Sequence, residues 1–294
     1  MGNSIDNNMP IQFADMLHAQ AQQIRARLRP YTRIIQMTGD IFAYDGLGIV
    51  DAQEVSGRIQ ATVFNDIEHN RRKIRRRRFV VTLPIDGMDV AAVLFNPEGE
   101  YAQACIRAME RKYDKVIVEA TVESVATGRD FDTTVTFASD GGATVDATTG
   151  LTYEKLLEIQ QNFIDADVGN DIPETIVMGI SGDEHTALMK ETELTSGDFS
   201  RQFVVDKGQM VYAVGMNIVK FAAGANIPVL PIASAVRTSF AMSTRGIVVG
   251  MAKDMTIEID KRPDYVNTKQ VQITGIWGAV RTEGVLVQKV TFTE

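Results

Sequence analysis

One cysteine, Cys105, and three widely separated histidines, His18, His69 and His185, are the chain's whole stock of thiols and imidazoles. A single thiol forms no intrachain disulfide, and this set is too sparse for a zinc cluster. No run of 18 apolar residues occurs, so no helical membrane span is expected. The opening MGNSIDNNMP is polar and lacks the apolar stretch of a signal peptide, and its Met-Gly start is a poor match to a myristoylation signal. A cytoplasmic folding environment fits these absences. The carboxylates fall in no D-x-D-x-D-G or H-E-x-x-H pattern. The glycines of YDGLGIVD and SDGGATVD lack the spacing of a phosphate loop or a dinucleotide fingerprint. No metal and no cofactor is expected. The one tryptophan, Trp277, reads as core packing rather than a ligand platform.

What is present is a chain of 294 residues with 45% hydrophobic and 23% charged content, the composition of an ordinary globular protein. Its formal net charge is -8, yet HNRRKIRRRRF, residues 69–79, holds Arg71, Arg72, Lys73, Arg75, Arg76, Arg77 and Arg78. Removing these seven from -8 leaves -15 for everything else. An acidic chain of this kind does not coat nucleic acid with its whole surface. The run itself has three readings: a contact between subunits, a DNA contact, or a solvated face. The DNA reading lacks interleaved aromatics, Phe79 excepted. The subunit reading draws on the match between arginine forks and carboxylates.

Periodicity organises the rest as a mixture of helices and strands. Residues 11–28 read as an amphipathic helix with Phe13, Met16, Leu17, Ile24 and Leu28 on one stripe, stopped by Pro30. Such a stripe needs a partner surface, so Phe13, Leu17 and Ile24 are candidate subunit contacts beside the seven cations. Residues 54–67 alternate, and so do Phe79, Val81, Leu83 and Ile85. This predicts a long β-hairpin with the cations at its tip, each arm about 17 residues and so roughly 55 Å when extended. Residues 98–119 form the clearest helix, with Tyr101, Cys105, Met109, Tyr113 and Val116 on a face. Residues 137–150 are rich in small residues and read as a boundary. Residues 150–237 then alternate helix and strand, with a hairpin turning at Lys207-Gly208, and the last 55 or so residues are mostly strands.

IVMGISGDEHT places Ser181 on a turn between a strand and a helix, with His185 four residues on. The pattern is G-x-S-G-D, not the G-x-S-x-G of a nucleophile elbow. Ser181 and Glu184 instead have the spacing of a capping box. A soluble α/β hydrolase using Ser181 is thus the weaker reading.

The order of parts resembles the major capsid protein of tailed phages, the Hong Kong ninety-seven fold, in its podovirus-type group. The phrases that carry the likeness are YAQACIRAMERKYDKVIVEA, similar to that group's spine helix, with LTYEKLLEIQQNF, TSGDF, GMNIVKF and ITGIWGAVRTEGVLVQKV. The resemblance covers roughly residues 35–294. The resemblance implies an α+β chain with an N-terminal arm at 1–50 and an E-loop hairpin at 51–92. A P-domain would comprise 93–149 and 238–294, with the spine helix at 98–119, and an A-domain 150–237. It implies no catalytic site, assembly into hexamers and pentamers, and a head around double-stranded DNA held non-specifically. It also implies a separate scaffolding protein, a portal protein, room for a decoration protein, and no membrane. The implied location is the virion shell, and the bacterial host cytoplasm during assembly. Some relatives crosslink an E-loop lysine to a P-domain asparagine. Lys73 and Asn267 are the one candidate pair for such a bond, and neither sits in a matching motif.

Overall fold

The computed structural model describes residues 22–54, 64–85, 98–148, 150–169, 175–191, 194, 205–206, 209–224 and 228–293. These divide between two compact units. The described residues of Met1–Arg25, Arg78–Glu110 and Lys253–Gly275 form the smaller; those of Ala26–Arg77, Arg111–Ala252 and Ile276–Glu294 form the larger.

In chain order the first strands are β1 (Arg33–Gln36), β2 (Ile41–Leu47), β3 (His69–Arg75) and β4 (Arg77–Ile85), followed by helix α1 (Glu98–Val122). Next come β5 (Val125–Thr127), β6 (Thr133–Val135), β7 (Ala143–Asp146) and helix α2 (Tyr153–Asp165). Strand β8 (Ile176–Ile180) leads into helix α3 (Gly182–Lys190). Short strands β9 (Val205–Asp206), β10 (Gln209–Met210) and β11 (Tyr212–Ala213) precede β12 (Met216–Lys220) and β13 (Ile232–Ala233). The chain closes with β14 (Val236–Ser243), β15 (Ile247–Arg262), β16 (Thr268–Arg281) and β17 (Val287–Thr293).

The larger unit holds a seven-stranded sheet in the order β11-β12-β8-β14-β17-β7, with β13 on β14. Strand β8 reads IVMGI and every residue in it is buried, the mark of a strand covered on both faces. It pairs parallel with β12 and antiparallel with β14. Gly179 lies where a Cβ would strike the Phe240 ring, so the position needs a glycine. Helix α2 buries Leu156, Ile159 and Phe163, and the Gln288 amide of β17 donates to the Ile159 carbonyl at 2.9 Å. The boundary expected at 237/238 falls inside β14, and the sheet joins strands from both sides of it.

A second sheet of this unit runs β2-β3-β5-β6. Strands β2 and β3 pair antiparallel from Ile41↔Arg75 to Leu47↔His69. Ile74 joins Met37, Val125, Val248 and Val280 in a buried cluster, with Ile35, Phe42, Tyr44 and Ala252 packed on it. Trp277 is 1% exposed, its ring 5.6 Å from that of Tyr113 on α1, so the core reading of this residue holds. A third sheet has the order β1-β15-β16-β4. In the smaller unit, Thr256 and Thr274 of its two long strands share a hydrogen bond at 3.1 Å, and Cys105 and Met109 of α1 are fully buried. Burial pushes the Cys105 thiol up, away from the reactive thiolate.

Two expectations are corrected. The predicted hairpin does not have the cations at its tip. The cations occupy β3 and β4, which lie in different sheets, and the partner of β3 is β2. The β2–β3 ribbon continues past Gly48, whose amide donates to Glu68 at 2.7 Å, to the pair Gln53 and Asn65. The arginines therefore stand at the base of the ribbon. Alternation marked 79–85 correctly as a strand, but alternation carries no information about the partner, which is β16. The second correction concerns the last residues of the predicted N-terminal helix, 22–28. Residues 22–28 are not helical. Instead the Asp114 carboxylate on α1 accepts the amides of Arg27 at 2.8 Å and Leu28 at 3.0 Å, holding this stretch open. Phe13, Met16 and Leu17 lie outside the described residues, as do residues 55–63 of the expected hairpin arm.

Candidate assembly site

Strand β3 follows a period of two. Arg72 and Ile74 point inward and are buried, while Arg71, Lys73 and Arg75 point outward. An inward arginine needs a carboxylate, because a desolvated guanidinium without a counter-charge is costly. Arg72 meets Asp140 in a two-pronged pair at 2.6 and 2.8 Å, with the two side chains 7% and 8% exposed. Asp140 Oδ2, which accepts one prong of Arg72, also accepts Arg281 Nε at 2.8 Å. Arg281 is wholly buried, stacks on the Phe137 ring at 5.1 Å, and donates to the carbonyls of Thr121 at 2.9 Å and Glu123 at 3.1 Å. Those carbonyls belong to the end of α1, where no intrahelical donor reaches them, so Arg281 acts as its C-terminal cap. Burial alone raises an aspartate. Hydrogen bonds from Arg72 and Arg281, and their charge, outweigh it and hold the Asp140 carboxyl below the ordinary carboxylate range.

The outward cations are mostly engaged within the chain as well. Arg71 pairs with Asp45 across the β2–β3 ladder at 2.7 and 3.1 Å, and its hydrogen bond lowers the Asp45 carboxyl. Arg76 pairs with Asp40 and donates its amide to the Asp40 carbonyl at 3.2 Å. Arg77 reaches Glu123 at 3.2 Å and Glu119 at 3.7 Å, one turn apart on α1. Lys73 sits over the Phe131 ring at 5.4 Å. Arg75 and Arg78 are exposed, and neither has an ion pair among the described residues. For Arg72 the expected subunit contact is corrected: its guanidinium is committed to Asp140. Ile24 of the predicted N-terminal stripe is 68% exposed. Asn267 lies in the turn between β15 and β16 with φ 56°, beside Val266 at φ 51°.

The partners Asp140, Arg281, Asp40 and Asp45 were not singled out from the sequence. The surplus of carboxylates outside the run was the only signal of the three aspartates, and it gives no positions; nothing signalled Arg281.

At the other candidate, Ser181 caps α3. Its Oγ accepts from the Asp183 amide at 3.4 Å and donates to Glu184 Oε2, while the Glu184 carboxylate accepts the Ser181 amide at 2.9 Å. The capping box expected from S-x-x-E is formed. His185 faces elsewhere: its Nε2 accepts the Met210 amide at 3.2 Å. Burial, and secondarily the charge of Lys220, push this imidazole below its ordinary range. Serine and histidine are thus bonded to different partners and form no relay.

The protein-family model described as phage capsid protein matches residues 5–294. Among solved structures, the capsid of Cyanophage P-SCSP1u superposes with a TM-score of 0.75 at 13% identity, covering 100% of this chain and 96% of that one. The head structure of Helicobacter pylori bacteriophage KHP40 gives 0.74 at 11%, with 99% and 98% covered. Mycobacterium phage Che8 gives 0.70 at 16%, with 97% of both covered. At such identities the likeness is one of fold. No curated protein sequence matches the chain.

Proposed function

The chain belongs to the phage capsid protein family, and from that membership we propose that it is the major capsid protein of a tailed phage, the non-catalytic subunit of the head shell. The family match over residues 5–294 is the observation that carries the reading. The fold supports it, being the α+β Hong Kong ninety-seven architecture shared end to end with phage capsids. On this reading copies associate into hexamers and pentamers around double-stranded DNA, with a separate scaffolding protein and a portal protein as partners and a decoration protein as an optional one. Assembly takes place in the host cytoplasm. Helix α1 serves as the spine, the β2–β3 ribbon as the E-loop, and the sheet around β8 as the heart of the A-domain.

The arginine run serves this function in two ways. Arg71, Arg72, Arg76 and Arg77 fasten the ribbon base to its own subunit, which supports a role in presenting the ribbon rather than in gripping DNA. Arg75 and Arg78 are left for carboxylates of a neighbouring subunit. The test is expression of the chain alone and with its scaffold, followed by negative-stain microscopy. Closed shells are the expected result; a chain that stays monomeric under both conditions overturns the reading.

A further inference from the structure

A cavity of about 300 Å³ lies at the end of α1, lined by Val118, Glu119, Val122, Glu123, Pro231 and Thr238. Its volume falls at the small end of the range for ligand pockets. The sequence builds its lining from two adjacent rows of one helix. Val118 and Val122 are one turn apart, and Glu119 and Glu123 follow each of them by one residue. The cavity therefore has an apolar wall beside an acidic one. Pro231 and Thr238 supply the rest, and the Thr238 amide fixes them together by donating to the Pro231 carbonyl at 2.9 Å.

The acidic wall is under-compensated. The last turn of α1 carries no base, although the C-terminal end of a helix is its negative pole, where carboxylates are unfavourable and cations favourable. Among the described residues the one cation paired with either glutamate is Arg77, 3.2 Å from Glu123 and 3.7 Å from Glu119. One guanidinium against two carboxylates leaves a single negative charge beside the valines. The lining selects among cations. A magnesium or calcium ion asks for a nearly complete shell of oxygens, which two glutamates beside valines and a proline do not supply. A nucleic-acid backbone is repelled. A flexible aliphatic chain ending in an ammonium satisfies both walls, its methylenes on the valines and its charge at the carboxylates, as lysine does where it lies along apolar surface.

We propose that this cavity binds a primary alkylammonium group, with the stem against Val118, Val122 and Pro231 and the ammonium at Glu119 and Glu123. The inference stands apart from the capsid reading, because one subunit supplies every lining residue. Two sources share this chemistry: a free aliphatic diamine, and the lysine side chain of a partner protein.

The test is titration of the unassembled chain with diaminopentane, followed by the methyl resonances of Val118 and Val122. Both should shift and saturate. Across methyl-, propyl- and pentylammonium the affinity should rise roughly threefold for each methylene buried. Glu119→Gln and Glu123→Gln should each weaken binding roughly threefold, whereas Arg77→Gln should strengthen it by a similar factor, since it releases both carboxylates. A lysine blocked at its amino and carboxyl ends separates the sources. Binding of diaminopentane with exclusion of the blocked lysine assigns a free amine; binding of the blocked lysine assigns a partner's side chain. An affinity that is the same for all three alkylammonium ions reports surface charge alone and overturns the proposal. Valine methyls that respond to neither diaminopentane nor the blocked lysine also overturn it, and leave the capsid reading standing.

Discussion

Arg72 and Asp140, 68 residues apart in the chain, form a two-pronged ion pair that is almost wholly removed from solvent. Asp140 simultaneously holds Arg281, so one carboxylate anchors the base of the ribbon, the 137–142 turn and the end of α1.

Removing that carboxylate should be costly. Asp140→Ala leaves two buried guanidinium groups without a counter-charge, and the expected loss is about 3–5 kcal/mol in urea unfolding of the unassembled chain. Arg71→Ala, which breaks the exposed pair with Asp45, should shift the same curve by less than about 1 kcal/mol.

Acid should act on the same group. The folded-state carboxyl of Asp140 is held below its ordinary value of 3.8, so its contribution is complete above that value and disappears as pH falls through the depressed one. Melting temperature should drop steeply below about pH 4 in the wild type. The Asp140→Asn chain should start lower and lack that component of the slope.

A second pH effect belongs to His185. Its ordinary value of 6.5 is depressed on folding, because burial and the charge of Lys220 disfavour the charged ring, while the neutral ring accepts the Met210 amide. The contribution is complete above 6.5 and is lost as pH falls through the depressed folded value. The Met210 amide should lose exchange protection over that range; protection that persists through full protonation of the ring contradicts the assignment.

Ser181→Ala should lower stability by about 1–2 kcal/mol, since it takes a donor from the buried Glu184 carboxylate and an acceptor from the helix start. Ester hydrolysis by the purified chain that vanishes in this variant would contradict the capping role.

Charge reversal at Arg75 and Arg78 should leave the monomer folded, because both are exposed and have no ion pair among the described residues. Shell formation should fail, and wild-type shells should loosen in high salt as screening weakens the contact. Counting empty and full particles separates this from a DNA role, which predicts normal empty shells.

Local patterns were readable because they depend on neighbours in sequence. The α1 face of Cys105, Met109, Tyr113 and Val116, the capping box at Ser181 and the unbroken apolar run of β8 are of this kind. The strands expected on either side of 207–208 also pair, as β9 with β10. Partners distant in sequence were not readable. Alternation in 79–85 marks a strand without saying that β16 lies beside it, and a run of arginines does not say that its carboxylates are Asp40, Asp45, Glu123 and Asp140. The helical reading of residues 22–28 failed for a similar reason. Its apolar spacing was real, but a carboxylate from α1 takes the amides of Arg27 and Leu28, and such a tertiary bond outweighs local propensity.

The shared carboxylate has a mechanical consequence. A strand pair that hinges on a loop dissipates a pull in bending that loop. Here the ribbon base is bolted through Asp140 and Arg281 to the terminal carbonyls of α1, a stiff rod. Tension on the ribbon is handed directly to the helix axis, so the ribbon behaves as a lever with a fixed fulcrum rather than as a tether.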